Sequence, residues 1–267
     1  MLTRELRSLL WLFAALAFGA GVLLYVLSGN TDDTFSWTIK PSMTAAFLGG
    51  AYWAALVLFV WSARQELWAR ARPFVLPVTV IAIGLLVATV IHYDKFHKDS
   101  LFGWFWIVAY VTVPPALGIA LWLQARTPKV PAPPRVPLDG ALRTVLALEG
   151  LVLVGVGLAL FIEPDTADDL WPWSLTPLTA RAVGSFLVGF GAAALQAIAE
   201  NDIRRLAGSA YAYAILGLLE LVAALRYTDA FDGSGARGAT YVAFGALVLV
   251  TGVAGSVLAR RARVHGP

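Results

Sequence analysis

Long apolar stretches, separated by short polar ones, recur along the whole chain, and eight of them can be delimited. They lie at 9–28, 42–61, 73–92, 102–124, 141–162, 178–199, 206–225 and 237–259. A helix of about 20 mostly apolar residues is long enough to cross the hydrocarbon core of a bilayer. The pattern therefore predicts an all-α integral membrane protein with eight transmembrane helices.

Composition agrees with this prediction, because only 14% of the 267 residues are charged and 59% are hydrophobic. Soluble domains carry roughly 25% charged residues. The chain has no cysteine, and its three histidines are His92, His97 and His265. Disulfides, thiolate metal sites and a haem held by two histidines within the spans are therefore excluded, and we predict no cofactor.

The basic residues fall mainly on one side of the predicted membrane protein. When the polar stretches are assigned alternately to two sides, 14 of the 20 Lys and Arg residues lie on the side of both termini. The other side holds Lys40, Lys95, Lys98, Arg181, Arg226 and Arg237. Because cytoplasmic loops are rich in Lys and Arg, we predict a plasma (inner) membrane protein with both termini in the cytoplasm. Topology thus explains the basic charge, and nucleic acid is not a predicted partner. The predicted partners of a protein in this location are membrane lipid and other membrane subunits.

The chain resembles itself after a shift of about half its length. A shift of 136 residues aligns it without a gap from Arg7 to about Glu66, and a shift of 135 aligns the remainder. Aligned pairs include Arg7 with Arg143, Trp37 with Trp173, Pro41 with Pro177, and Gly103 with Gly238. We predict two four-helix repeats, residues 1–126 and 139–267, joined by a proline-rich cytoplasmic linker at 127–138. Four spans is an even number, so the repeats are parallel and related by a pseudo-twofold axis along the membrane normal.

One motif, D-D-x-x-x-W-x-x-x-P, occurs in both halves at the predicted outer face. Its residues are Asp32, Asp33, Trp37 and Pro41 in the first half, and Asp168, Asp169, Trp173 and Pro177 in the second. Proline suits the first turn of a helix. Together with Trp104, Trp106 and Trp171, the two tryptophans are predicted to form an aromatic belt among the lipid headgroups. The acidic pairs could bind a cation or a cationic ligand, or simply belong to solvated loops.

A second pair of outer loops contains His92, Asp94 and His97, aligned with a stretch that holds Asp229 and Asp232. Imidazole and carboxylate groups are suitable ligands for a divalent metal. The spacing matches no specific metal-binding motif, however, so an ordinary polar loop is the alternative.

Two glutamates lie inside predicted spans, where a carboxylate is costly and usually functional. Their counterparts in the first half, Phe13 for Glu149 and about Gly84 for Glu220, are uncharged. We therefore predict that Glu220 and Glu149 take part in ligand binding or proton coupling.

Neighbouring polar side chains offer a structural alternative for both glutamates. Glu220 could be satisfied by an ion pair with Arg226 or Arg181, or by a buried hydrogen bond to Tyr211 or Tyr213. If Glu220 binds a ligand instead, these four residues are the further candidates for the same ligand-binding or proton-coupling site. Glu149 could be satisfied by Arg143 or Gln196.

Two adjacent prolines, Pro114 and Pro115, interrupt the fourth span, and the second half has no equivalent. We expect a kink there, with released carbonyl groups that could line a cavity. Recurrent glycines in the other spans predict close packing between helices.

The chain contains none of the common nucleotide-binding, metalloprotease or serine-hydrolase motifs, so an enzyme is not favoured. The first hypothesis is a small transporter or channel-like protein that binds a cation or small solute between the repeats, with Glu220 in the cavity wall. The second is a non-catalytic accessory or scaffold subunit of a larger membrane complex. The third is a membrane-embedded enzyme that acts on a lipid or an isoprenoid.

Overall fold

The computed structural model describes residues 1–128, 130–132 and 134–264, apart from the side chains of residues 166–168 and 264. All regular secondary structure in this part of the chain is helical, and eight of its helices are long and apolar enough to cross a membrane. They are α1 (Arg4–Val26), α2 (Ser42–Ala63), α3 (Trp68–Ile91), α4 (Leu101–Ala125), α5 (Gly140–Ile162), α6 (Pro177–Glu200), α7 (Ala207–Arg226) and α8 (Ala236–Arg263). The prediction of an all-α protein with eight such helices is confirmed.

Side-chain caps place some helix starts outside the apolar runs. α1 begins at Arg4 instead of residue 9, because the Thr3 hydroxyl accepts a hydrogen bond from the Leu6 N–H and satisfies a donor of the first turn. Asp139 caps α5 in the same way by accepting from the Leu142 N–H. The apolar pattern alone therefore underestimates the length of α1.

Neighbouring helices form two rows of four, and each row combines helices from both halves of the chain. In one row α1 packs on α2, α2 on α7 and α7 on α8; in the other α4 packs on α3, α3 on α6 and α6 on α5. The rows meet where α1 touches α4, α2 touches α6 and α5 touches α8. The buried share of the apolar segment is 72% in α2 and 67% in α6, but only 17% in α4. α4 therefore lies at the edge of the bundle.

Glycines set how closely several helix pairs approach. A Cβ atom at Gly157 of α5 would lie 2.8 Å from the carbonyl oxygen of Gly184 in α6. A Cβ atom at Gly252 of α8 would lie 2.2 Å from the backbone nitrogen of Ala214 in α7. Small residues of this kind let helix backbones touch, which favours association within a bilayer. Gly118 of α4 instead faces open space.

A buried cluster of charges joins the two halves at the end where α2 passes into α3 and α6 into α7. The Glu200 carboxylate lies 2.6 Å from the Arg72 guanidinium and 3.1 Å from that of Arg205, which is 2.8 Å from Asp202. Asp202 also accepts a hydrogen bond from the backbone of Val136, at the end of the linker. Because each buried carboxylate has a basic partner, the cost of burying these charges is offset.

We expect Gly252→Ala and Gly118→Ala to have opposite effects on stability. The first substitution forces α7 and α8 apart and should destabilise the fold by about 1–3 kcal/mol, the usual range for overpacking. The second adds a methyl group in open space and should stabilise α4 by up to about 1 kcal/mol through helix propensity. Thermal unfolding in detergent measures both, and equal effects at the two sites would contradict the close packing of α7 on α8.

Candidate functional site

A cavity of about 810 Å³ lies among α1, α2, α3 and α4, and Phe186 of α6 completes its wall. Its lining is almost wholly apolar and, among the described residues, includes no charged side chain. The cavity opens to the outside of the bundle beside α4, where the lining residues Leu101, Phe105 and Val108 are exposed. We call this space the apolar cleft.

The wall that α4 contributes to the cleft lies within residues 101–113, directly before Pro114 and Pro115. Proline has no N–H, so the carbonyl groups of Tyr110 and Val111, four residues earlier, lose their helical donors. α4 remains one continuous helix through both prolines, and the kink expected there stays a prediction. Prolines are tolerated in this way in membrane helices.

Hydrogen bonds to Gln124 join α4 to the start of the chain beyond the prolines. The Gln124 side-chain oxygen accepts from the Thr3 N–H, and its amide nitrogen donates to the Met1 carbonyl, both at 2.9 Å. Leu117 and Ala120, on the same part of α4, are buried. The cleft is therefore closed at this end of α4 and open toward the other.

Two tyrosine hydroxyl groups meet in the wall of the cleft. The hydroxyl oxygens of Tyr52 in α2 and Tyr110 in α4 are 2.5 Å apart. The ring of Tyr52 packs on Phe186 with centroids 5.0 Å apart, and that of Tyr110 packs on Trp106 at 4.3 Å. These contacts hold both hydroxyl groups in place within the apolar cleft.

Aromatic rings form two matching clusters at the end of the bundle opposite Gln124. The first consists of Phe35, Trp37, Phe96 and Trp106. The second consists of Trp171, Trp173, Phe231 and Tyr241, which are the aligned positions. The same five ring pairs are in contact in both clusters.

The predicted aromatic belt is wrong for four of its five tryptophans. Trp37, Trp106, Trp171 and Trp173 are at most 6% exposed, because the loops fold back and bury their rings in the clusters. Trp104 alone of the five is exposed, at 49%.

The acidic residues of the repeated motif lie on the surface. Asp32 and Asp33 are exposed, and Asp32 forms a 3.8 Å ion pair with Lys40. Asp169 is exposed as well, whereas the side chain of Asp168 lies outside the described residues. The role predicted for Pro177 is supported by its position in the first turn of α6, after the cap that Thr176 provides; Pro41 directly precedes α2.

The side chains proposed as metal ligands have other partners. Nε2 of His92 lies 2.8 Å from the guanidinium of Arg181, and burial and that positive charge lower the pKa of His92. Asp94 pairs with Lys95, which lowers the pKa of Asp94. A ring nitrogen of His97 contacts the Phe35 carbonyl.

Asp229 and Asp232 are exposed. Among the described residues no group of three or more His, Asp or Glu could hold a metal ion, so that hypothesis gains no support.

Glu220 is buried between α7, α8 and α2, with 5% of its surface exposed. One carboxylate oxygen accepts a hydrogen bond of 2.7 Å from the Tyr241 hydroxyl. The other has no partner among the described residues and lies beside Gly50 of α2. Glu220 does not line the apolar cleft.

The partners that we expected for Glu220 bind elsewhere. Arg226 donates to the Tyr25 carbonyl at 2.9 Å, in the π-helical last turn of α1. Tyr213 donates to the Phe190 carbonyl, and the Tyr211 hydroxyl accepts from Arg260. Arg181 contacts the His92 ring instead. None of these four candidate partners bonds to Glu220, because α8 packs against α7 and brings Tyr241 to the carboxylate.

Glu149 is fully buried and accepts a 2.8 Å hydrogen bond from the Thr251 hydroxyl, which links α5 to α8. Its second oxygen has no partner among the described residues, and neither Arg143 nor Gln196 takes the predicted role. Thr251 also lines a cavity of about 40 Å³ among α5, α6, α7 and α8. This cavity is far smaller than the apolar cleft.

Sequence reasoning missed the pair of tyrosines and the buried charge cluster. A signal for the tyrosines was present, because their aligned residues in the second half are Val188 and Gly245. The charge cluster depends on contacts between α3 and the loop after α6, which the sequence pattern does not reveal.

Comparison with protein-family models, with curated proteins and with solved structures finds no match for this chain.

We expect the Tyr241–Glu220 hydrogen bond to appear as a coupling in a double-mutant cycle. Glu220→Leu leaves the Tyr241 hydroxyl without its acceptor and should cost about 1–3 kcal/mol. Adding Tyr241→Phe should recover part of this loss, since neither polar group then remains unpaired. Denaturant unfolding in detergent provides the four stabilities, and strictly additive effects would contradict the bond.

Proposed function

We propose that this protein binds an apolar or amphipathic molecule from the bilayer in the apolar cleft. The observation that carries the proposal is the combination of size, lining and opening: about 810 Å³, almost wholly apolar, and open to the outside of the bundle beside α4. In a membrane such an opening faces lipid. A cation would find no compensating charge among the lining side chains, and its desolvation would be costly.

This proposal differs from all three predicted functions: it combines a transporter-like role, as in the first hypothesis, with a lipid or isoprenoid ligand, as in the third. The described lining offers hydroxyl and indole groups and no carboxylate or imidazole. A path for a cation or small solute at Glu220 stays a prediction, for which the unpaired carboxylate oxygen is the supporting observation. The accessory or scaffold role also stays a prediction.

We also propose that the two halves are parallel repeats with both termini in the cytoplasm. Three observations support the duplication: the corresponding starts of α1 and α5 and of α4 and α8, the matching aromatic clusters, and the reciprocal contacts of α2 with α7 and of α3 with α6. The excess of Lys and Arg on the side of the termini supports the orientation.

The absence of cysteine makes this orientation testable by single-cysteine labelling. Asp99→Cys should react with a membrane-impermeant maleimide in intact cells. Arg135→Cys, in the linker, should react only after the membrane is permeabilised. The opposite pattern would reverse the proposed topology.

A matched pair of glycines tests binding in the cleft. Gly19 lines the cleft and its missing Cβ faces open space, as does that of its aligned residue Gly155, which lies outside the cleft. We expect Gly19→Phe to fill part of the cleft and to weaken binding about tenfold, equivalent to about 1.4 kcal/mol. Gly155→Phe should leave binding unchanged.

The probe for this test is cis-parinaric acid, a polyene fatty acid that fluoresces in apolar sites. Titration of the purified protein in mild detergent gives its affinity for the wild type and both variants. Equal affinity in all three proteins, or no saturable binding, would contradict the proposed function.

A further inference from the structure

The two hydroxyl groups in the cleft leave one hydrogen without an acceptor. A tyrosine hydroxyl has one hydrogen to donate and can also accept. In the pair formed by Tyr52 and Tyr110, one hydroxyl donates to the other, and the second keeps its hydrogen. No further acceptor for either hydroxyl is found among the described residues. Both tyrosines are partly buried, and the hydrocarbon core supplies no water to accept this hydrogen, so it calls for an acceptor that the described residues do not supply.

Other polar groups that line the cleft are already used. The Trp106 indole donates to the Thr89 hydroxyl at 2.9 Å, and the Trp104 indole donates to the Lys98 carbonyl at 2.8 Å. The Ser36 hydroxyl donates to the Phe102 carbonyl. The unused donor therefore belongs to the tyrosine pair.

The depth of the pair limits the kind of molecule that can reach it. Tyr110 lies nine residues after the start of α4 and Tyr52 ten residues after the start of α2. At 1.5 Å per residue, both lie about 14 Å from those helix ends, close to the middle of a hydrocarbon core of about 30 Å. The ester groups of a phospholipid are held near the headgroups, whereas an uncharged molecule without a headgroup can enter this depth.

From these observations we propose that the ligand is a neutral molecule with a long apolar chain and a carbonyl oxygen, of the isoprenoid quinone or long-chain ketone class, and that the carbonyl accepts a hydrogen bond from the Tyr52–Tyr110 pair. This inference rests on the proposed function, since it assigns the ligand class of the same cleft.

The test compares two competitors of equal chain length in the displacement of cis-parinaric acid. On the wild-type protein 2-octadecanone should displace the probe about fivefold better than octadecane, the effect of one net hydrogen bond. In the double variant Tyr52→Phe/Tyr110→Phe the two competitors should become equal. Each single variant keeps one donor and should retain part of the preference, and the control Tyr93→Phe, in an exposed loop, should retain all of it.

The outcomes separate this inference from the proposed function. Equal displacement by the ketone and the alkane on wild-type protein would overturn the inference and leave the apolar binding site intact. A preference that persists in the double variant would also overturn it. Loss of all probe binding to the wild type would instead contradict the proposed function.

A second arm distinguishes the sources of the carbonyl. Menaquinone-4 should displace the probe, and dioleoylphosphatidylcholine at the same concentration should not. Displacement by the phospholipid alone would overturn the assignment to a neutral, headgroup-free ligand.

Discussion

Helix backbones within a bilayer approach only as closely as the side chains between them allow, because lipid is as apolar as the helix surfaces and supplies no hydrophobic driving force. In this protein that constraint acts differently on α4 and α8. α8 contacts α7 across Gly217 and Gly252. The residues aligned with these glycines in the first half are Ala82 and Leu117. Ala82 lines the apolar cleft, whereas Leu117 is buried at the closed end of α4.

Buried polar groups follow a second constraint, since the hydrocarbon core holds no water to pair with them. Each aromatic cluster contains one hydrogen bond that joins the fourth helix of its half to the third. Trp106 of α4 donates to Thr89 of α3, and Tyr241 of α8 donates to Glu220 of α7. The partners differ in position and chemistry, although the aligned rings occupy the same places. The two halves thus place the aligned rings alike but differ in their polar groups, and the unused hydrogen of the tyrosine pair lies in the half that contains the apolar cleft.

Sequence alone predicted the features that depend on one segment at a time. The eight helices follow from apolar length, and the place of Pro177 in the first turn of α6 follows from local chemistry. Features that depend on which helices meet were beyond its reach. The partner of Glu220 was missed, because the sequence does not show that α8 presents Tyr241. The headgroup position predicted for Trp37 was wrong, because the loop folds back and buries its ring against Trp106. Comparison of the halves was the best guide to where they differ. Glu149, for example, is aligned with Phe13, which lines the cleft.

The central claim is that the first four helices enclose an open apolar cleft that accepts a molecule from the bilayer. A crystal structure grown from a lipidic mesophase tests it most directly. The account predicts a space between α1 and α4 with elongated electron density that reaches the hydroxyl groups of Tyr52 and Tyr110. A structure in which α4 packs on α3 as closely as α8 packs on α7, with no space left between them, would contradict it.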